Sequence, residues 1–287
     1  MEQVATSLSW LLEDAVRQLC AALGLENREA RLEARLLAGL ALGQGSAWLI
    51  AHERETVSPQ ASADFAALLG RRLAGEPIAY LRGEKEFFGR SFAVNRAVLV
   101  PRPETELLVE TALATLPAGQ VARVLDLGTG SGAIAVSLAL ERPEWEVYAS
   151  DVSPAALALA QYNARRLGAG KVRFWAGDWW SPVCSVKFFD MVLSNPPYVA
   201  EDDPHLGALV YEPRNALAAS DRGRAELAAI IRGAAPHLAR GGWLWLEHGW
   251  DQGGWCRQAL LEAGLSEIQT RRDAAGLERA SGGKVSE

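Results

Sequence analysis

The chain is poor in the residues that carry metal, redox or secretory chemistry. Its 287 residues include only three cysteines, Cys20, Cys184 and Cys256, odd in number and far apart. That excludes a disulfide framework and any Cys-based metal spacing, and it fits a reducing compartment. The four histidines, His52, His205, His237 and His248, are equally scattered and define no Ser-His-Asp relay, so surface or supporting roles are expected of them. No apolar run approaches the ~18 residues of a membrane span. Met1-Glu2-Gln3 begins no basic leader, and a cytoplasmic protein without a membrane partner is expected. Basic charge is also short: 29 Lys and Arg against 35 Asp and Glu leave a net −6. Proteins that grip bare nucleic acid over their whole surface carry a basic field instead, so no stable nucleic-acid binding is expected. Blocks of like charge are absent, and only 281–287 reads as a disordered tail.

What is present divides by periodicity. Leu8, Leu11, Leu12, Val16, Leu19 and Leu23 recur at helical spacing, with Gly24 as a C-terminal cap. Asn27 reads as the N-cap of a second helix whose Leu32, Leu36, Leu37 and Leu40 share one face, ending at Gly43-Gln44-Gly45. Ser58-Pro59 opens a further helix striped by Phe65, Leu68, Leu69 and Leu73. These amphipathic helices predict a small all-α bundle over 1–75, with Arg71-Arg72, like Arg165-Arg166 later in the chain, on solvated faces. From 76 to 104, Phe87, Phe88, Phe92, Val94 and Val98 to Val100 lie among Gly83, Gly89 and Asn95, which predicts a connector holding a β-hairpin.

Beyond it, over 105–287, strands and helices alternate. Strands are predicted at 123–127, 146–150, 172–176, 191–194 and 243–247, with helices at 134–141, 155–167 and 225–238. Continuous apolar strands alternating with helices mean an α/β, Rossmann-like domain with a mostly parallel sheet covered on both faces. Ligands of such sheets bind at the carboxyl ends of the strands.

The first of these strands runs into Asp126-Leu127-Gly128-Thr129-Gly130-Ser131-Gly132 and then a helix. Glycines allow a tight turn and close backbone approach, and a helix N-terminus offers free N–H groups. Asp151 ends the next strand about twenty residues on, where a carboxylate accepts from both hydroxyls of a ribose. A nucleoside site is predicted. Gly128, Gly130 and Ala133 also satisfy a loose dinucleotide pattern, so a nicotinamide oxidoreductase remains open at this point. The alternating Asp-x-Gly-x-Gly-x-Gly form, itself like a methyltransferase loop, leans towards S-adenosylmethionine. Asp178-Trp179 after the third strand leans the same way, with an acid for an adenine amino group and an indole beside its ring.

The fourth strand ends in Asn195-Pro196-Pro197-Tyr198. An amide nitrogen is a poor nucleophile because its lone pair is delocalised into the carbonyl. Methylating it requires in-line placement and acceptors for its two N–H groups. The Asn195 side-chain oxygen and the Pro196 carbonyl suit that task, the two prolines stiffen the loop, and Tyr198 offers a face for a planar group. The same motif suits exocyclic amines of nucleic-acid bases, so it defines the type of atom and leaves the substrate open. A catalytically silent binding module would need no such combination.

Across nearly its whole length the chain resembles the release factor glutamine methyltransferases (the HemK/PrmC type), class I S-adenosylmethionine-dependent enzymes. The resemblance lies in Gly75 to Leu81, Glu86-Phe87-Phe88-Gly89 and Val100-Pro101-Arg102-Pro103-Glu104-Thr105-Glu106. Downstream it continues in Glu212-Pro213, Ala216-Leu217 and Leu246-Glu247-His248-Gly249. It implies methylation of the glutamine N5 in the Gly-Gly-Gln loop of peptide chain release factors, with the helical bundle docking the factor and a monomer acting alone. It further implies that Gly128, Thr129, Gly130, Ser131, Gly132, Asp151, Asp178, Trp179 and Asn195 contact S-adenosylmethionine. Asn195, Pro196, Pro197 and Tyr198 would clamp the glutamine, and Phe87, Phe88, Arg102 and Glu104 would wall the pocket. One departure stands out: Ala280-Ser281-Gly282-Gly283 occupies the place of an apolar last strand, which puts that strand in doubt.

Overall fold

The computed structural model describes residues 7–183 and 188–286, and the chain divides into two compact units, 1–83 and 84–287. Cys184 and Met1-Glu2-Gln3 lie outside the described residues. No described helix is long and apolar enough to cross a membrane.

The first unit consists of α1 (Leu8–Leu23), α2 (Asn27–Leu42), α3 (Ser46–Ala51), α4 (Pro59–Leu73) and α5 (Ile78–Arg82). Ser7 caps α1 by accepting from Trp10 N, and Gly24 ends it in the left-handed conformation. Ser58 caps α4 in the same way, with Pro59 in the first turn. The N-cap of α2 is Glu26 rather than Asn27, whose side chain accepts from Arg31 Nε. The leucine face expected of α2 is also corrected. Leu37 is buried as expected, but Leu32 is 60% exposed and Leu40 is exposed too, and the helix buries Ala30, Ala34 and Ala38 beside Leu37. A row of alanines lets helix axes approach closely, so packing selects the small face over the more hydrophobic one. Arg71 and Arg72 are not simply solvated. Arg72 forms a two-pronged pair with Glu33 at 2.7 and 3.2 Å, and Arg71 forms one with the buried Glu76 at 2.8 and 2.9 Å.

The second unit opens with the hairpin β1 (Glu84–Phe87) and β2 (Arg90–Ala93). The 76–104 stretch expected as one connector is therefore shared between the units: α5 packs its Ile78 and Leu81 on the bundle core, while Phe87 and Phe92 join the core of the second unit. After α6 (Glu106–Thr115) come β3 (Arg123–Leu127), α7 (Ala133–Glu141), β4 (Glu146–Asp151), α8 (Pro154–Leu167), β5 (Arg173–Ala176) and β6 (Phe189–Ser194). The short parallel pair β7 (Val199–Ala200) and β8 (Ala218–Ala219) follows, then α9 (Ala225–Ala234), β9 (Leu238–Glu247), α10 (Gly253–Glu262), β10 (Ser266–Arg272) and β11 (Glu278–Lys284). The main sheet has seven strands in the order β10-β11-β9-β6-β3-β4-β5. β9 through β5 are parallel, and β11 and β10 pair antiparallel at one edge. This is a doubly covered α/β sheet of Rossmann type.

The doubtful last strand forms, and 281–286 is no disordered tail. Ala280, Ser281, Gly282 and Gly283 pair with β9 and are buried. Their smallness has a cause: a Cβ on Gly282 would lie 2.3 Å from the Trp245 ring. The strand is apolar through its neighbour's indole rather than through its own side chains.

Candidate functional site

At the carboxyl ends of β3 and β4 the loop 128–132 is held by backbone. Gly128 N and Thr129 N both donate to Ser150 O at 2.9 Å. Gly128 has φ +72, and a Cβ there would meet the Trp179 ring at 3.3 Å, so only glycine fits the turn and the contact together. Beneath the loop Asp126 is buried and accepts from Thr129 Oγ1 at 2.6 Å and Ala135 N at 3.3 Å; burial pushes its carboxyl up to about 7. Asp151 accepts from Gly130 N at 2.9 Å and Ser153 N at 2.8 Å. Burial raises its pKa, and each oxygen keeps capacity for a further donor. Asn163, fully buried on α8, ties the loop to the hairpin by donating to Ser131 O and exchanging bonds with Ala93.

Trp179 follows β5 with φ +37, an uncommon backbone for a bulky residue. Its indole N–H donates to Glu226 Oε2 at 2.7 Å, which sets the ring across the loop. At the end of β6, Asn195 Nδ2 donates to Thr105 Oγ1 at 3.0 Å, leaving Oδ1 for another partner. The Tyr198 hydroxyl donates to Glu247 Oε1 at 3.0 Å, and burial raises the phenol pKa far above its usual range. Arg102 forms an ion pair at 2.6 Å with Glu212, a buried acid that also accepts from Val100 N.

These elements surround one cavity of about 270 Å³. Of the expected cofactor residues, Gly128, Thr129, Gly130, Ser131, Asp151, Asp178, Trp179 and Asn195 line it, as do Pro197 and Arg102. Six of the expected site residues do not line it. Gly132 packs with its α-carbon against Ala160 at the start of α7 and does not line the cavity. Pro196 is buried beneath the lining, and Tyr198 packs on the apolar cluster under β6 and β9 rather than presenting an open face. Phe87 is core, and Phe88 sits at the hairpin turn with its N–H donating to Glu106; neither walls the cavity, because the hairpin is drawn into the sheet's own core. Glu104 is exposed and outside the lining.

Several partners escaped the sequence reading. Thr105, Glu212 and Glu247 lie within the quoted motifs, so the signal was present without an assigned task. Glu226 and Asn163 sit on amphipathic helices, and nothing but a polar residue near an apolar face marked them.

Residues 103–221 match the family model described as methyltransferase small domain, and 11–83 match the PrmC N-terminal domain. A release factor glutamine methyltransferase of Bordetella pertussis is 54% identical over 255 residues, covering 88% of this chain and 94% of that protein. The protein of that name from Escherichia coli is 43% identical over 277 residues, covering 96% and 97%. Among solved structures, a methyltransferase from Pyrococcus furiosus aligns with TM-score 0.54 at 20% identity, over 77% of this chain and all of that one. A T. thermophilus 16S rRNA N2 G1207 methyltransferase, in complex with AdoMet and guanosine, aligns with TM-score 0.52 at 20% identity, over 70% and 49%. At that identity the two structures speak for the fold alone.

Proposed function

The chain belongs to the release factor glutamine methyltransferases, and from that premise we propose how its own residues divide the work. The enzyme transfers a methyl group from S-adenosylmethionine to the side-chain amide nitrogen of a release factor glutamine. The site fits that cofactor on its own terms. Asp151 stands at the strand end with acceptor capacity for ribose hydroxyls, and Gly128 and Gly130 leave backbone room. Asp178 and Trp179 provide an acceptor and a flat wall within the same cavity. When bound, S-adenosylmethionine supplies an electrophilic sulfonium methyl.

The protein's part is orientation. Asn195 Oδ1 accepts one N–H of the incoming glutamine amide, and the carbonyl of Pro196, which lies between the lining residues Asn195 and Pro197, is read as accepting the other, which frees the nitrogen lone pair from conjugation as the nitrogen pyramidalises. Pro196 and Pro197 keep those acceptors from drifting. Arg102, steadied by Glu212, stands at the cavity wall, where its guanidinium can donate to a carbonyl of the substrate loop. No clamp side chain is needed as a base, because the amide nitrogen is cationic once it has gained the methyl, and that cation is acidic enough to lose its proton to water. The bundle 1–83 is read as the module that docks the body of the factor, and the Gly-Gly-Gln loop as the segment that enters the cavity.

The observation that carries this reading is Asn195, anchored through its nitrogen to Thr105 while its residue lines the cofactor cavity. The test is methyl transfer from labelled cofactor to release factor, to a factor whose Gly-Gly-Gln glutamine is changed, and to RNA and DNA. Label on the intact factor alone is expected, and Asn195→Ala should cut the rate about 10³-fold with cofactor binding retained. Label on nucleic acid, or full turnover by Asn195→Ala, would remove the assignment.

A further inference from the structure

Trp179 stands in the cofactor wall on a backbone that its own loop does not support. We infer that Glu226 is a positioning residue for cofactor binding: from helix α9 it holds the Trp179 indole by its N–H and so sets the flat wall of the cavity. This rests on the reading of Trp179 as a cofactor contact just proposed.

The ring is held at two edges. Its N–H donates to Glu226 Oε2 at 2.7 Å, the short end of the range for an N–H to oxygen bond. Its opposite, benzo edge lies against Gly128, where an added Cβ would meet ring carbons at 3.3 and 3.6 Å. The indole therefore spans from the glycine loop to α9, and both Trp179 and Glu226 line the cavity. Trp179 keeps φ +37, which a bulky residue retains only where its surroundings hold it. Without the acceptor on α9 the indole has a donor to satisfy and a strained backbone to relax. Swinging the ring out of place answers both and takes the wall away.

Helix α9 is shaped to receive this turn. Trp180, the next residue, donates its own N–H to Ile230 O at 3.1 Å. Its ring lies against Gly233, where a Cβ would overlap the indole. Glu226, Ile230 and Gly233 recur at helical spacing, so one stripe of α9 receives two consecutive tryptophans. The entry to the helix is held as well. Asp221, Arg222 and Gly223 have successive φ of +52, +54 and +78. Gly223 packs on Tyr198 O, and Gln252 Nε2 donates to Tyr198 O at 3.1 Å and to Arg222 O at 3.3 Å. Glu226 thus projects from the first turn of a helix whose start is tied to the end of the Asn-Pro-Pro-Tyr turn. Its carboxylate makes no other hydrogen bond or ion pair among the described residues, so the indole is the contact it serves.

The experiment measures the Kd of S-adenosylmethionine by calorimetry on the full chain, and KM and kcat with release factor as acceptor. Two variants separate reach from charge. Glu226→Gln drops the charge but keeps an oxygen at the same reach, and should hold Kd within about threefold of wild type. Glu226→Asp keeps the charge one methylene short of the indole. It should raise Kd about tenfold, as should Glu226→Ala, because a donor left without its acceptor costs more than the bond alone. The loss should appear in KM for the cofactor and not in kcat at saturation. In a Trp179→Phe background, which has no N–H to hold, Glu226→Ala should add nothing further. The reverse order, with Glu226→Asp like wild type and Glu226→Gln weakened, would mean that the charge acts on the cofactor directly, and it would overturn the inference. An additive loss in the double variant would do the same. Should Glu226→Ala not fold, the Asp and Gln pair decides. Trp179→Ala tests the reading beneath: a wild-type Kd there would remove the wall itself. A weakened Trp179→Ala beside unaffected Glu226→Asp and Glu226→Ala would remove only the role of Glu226.

Discussion

The two ends of the cavity are built from different materials. The cofactor end is backbone: glycines, loop amides bonded to Ser150 O, and Asp151 held by the N–H groups of Gly130 and Ser153. The acceptor end is side chain: Asn195 on Thr105, Tyr198 on Glu247, and Arg102 on Glu212. A backbone cradle is specified by a few consecutive residues and tolerates change around it. A relay of side chains draws on β6, β9 and the 99–105 segment at once, so it can be tuned to one acceptor and can fail at any member. The difference fits the tasks proposed for them, since one end would receive a ligand common to many folds' chemistry and the other would have to discriminate a planar amide.

Variants can break or sharpen that contrast. The largest separation is expected from Asn195→Ala, which should abolish turnover while calorimetry still reports cofactor binding. Asp151→Ala should do the opposite. Losing acceptors for two hydroxyls weakens cofactor affinity by about 10²-fold, from roughly 3 kcal/mol of charge-assisted hydrogen bonding. Its kcat at saturating cofactor should stay near wild type; a kcat defect instead would mean the two ends are not separable. Gly282→Ala leaves both ends untouched and should lower unfolding stability by about 1–3 kcal/mol, because its new methyl overlaps Trp245. Chemical denaturation checks that value, and an unchanged midpoint would mean β9 and β11 can part at little cost. The smallest effect belongs to Trp179→Phe. It removes the bond to Glu226, worth about 1 kcal/mol, and trims the indole wall beside Gly128, and should raise the cofactor Kd a few-fold.

Much of the second unit was legible. The predicted strands fall within a few residues of β3, β4, β5, β6 and β9, and every predicted cofactor residue except Gly132 reaches the cavity. The misses share a cause. On α2 the leucines outscored the alanines in hydrophobicity, but interhelical distance chose Ala30, Ala34 and Ala38. Phe87 reads in the sequence as a pocket wall because an aromatic pair beside a turn can be either wall or core. Ala280-Ser281-Gly282-Gly283 puts the last strand in doubt because its apolar partner, Trp245, lies on another strand. Tyr198 reads in the sequence as an open stacking face because nothing local shows that Glu247 holds its hydroxyl.

By itself the sequence determined the α/β class, the glycine loop, the position of Asp151 after its strand and the Asn-Pro-Pro-Tyr turn. Each of these depends on hydrogen bonds and torsions within a few residues, or on a period that a short window reveals. Only the tertiary structure decided what stands behind them. Asn195 meets Thr105 across 90 residues of chain, Trp179 meets Glu226 across 47, and Tyr198 meets Glu247 across 49. Contacts of that range have no local signature, because they exist only once the strands have packed side by side and carried distant side chains to the same edge of the sheet.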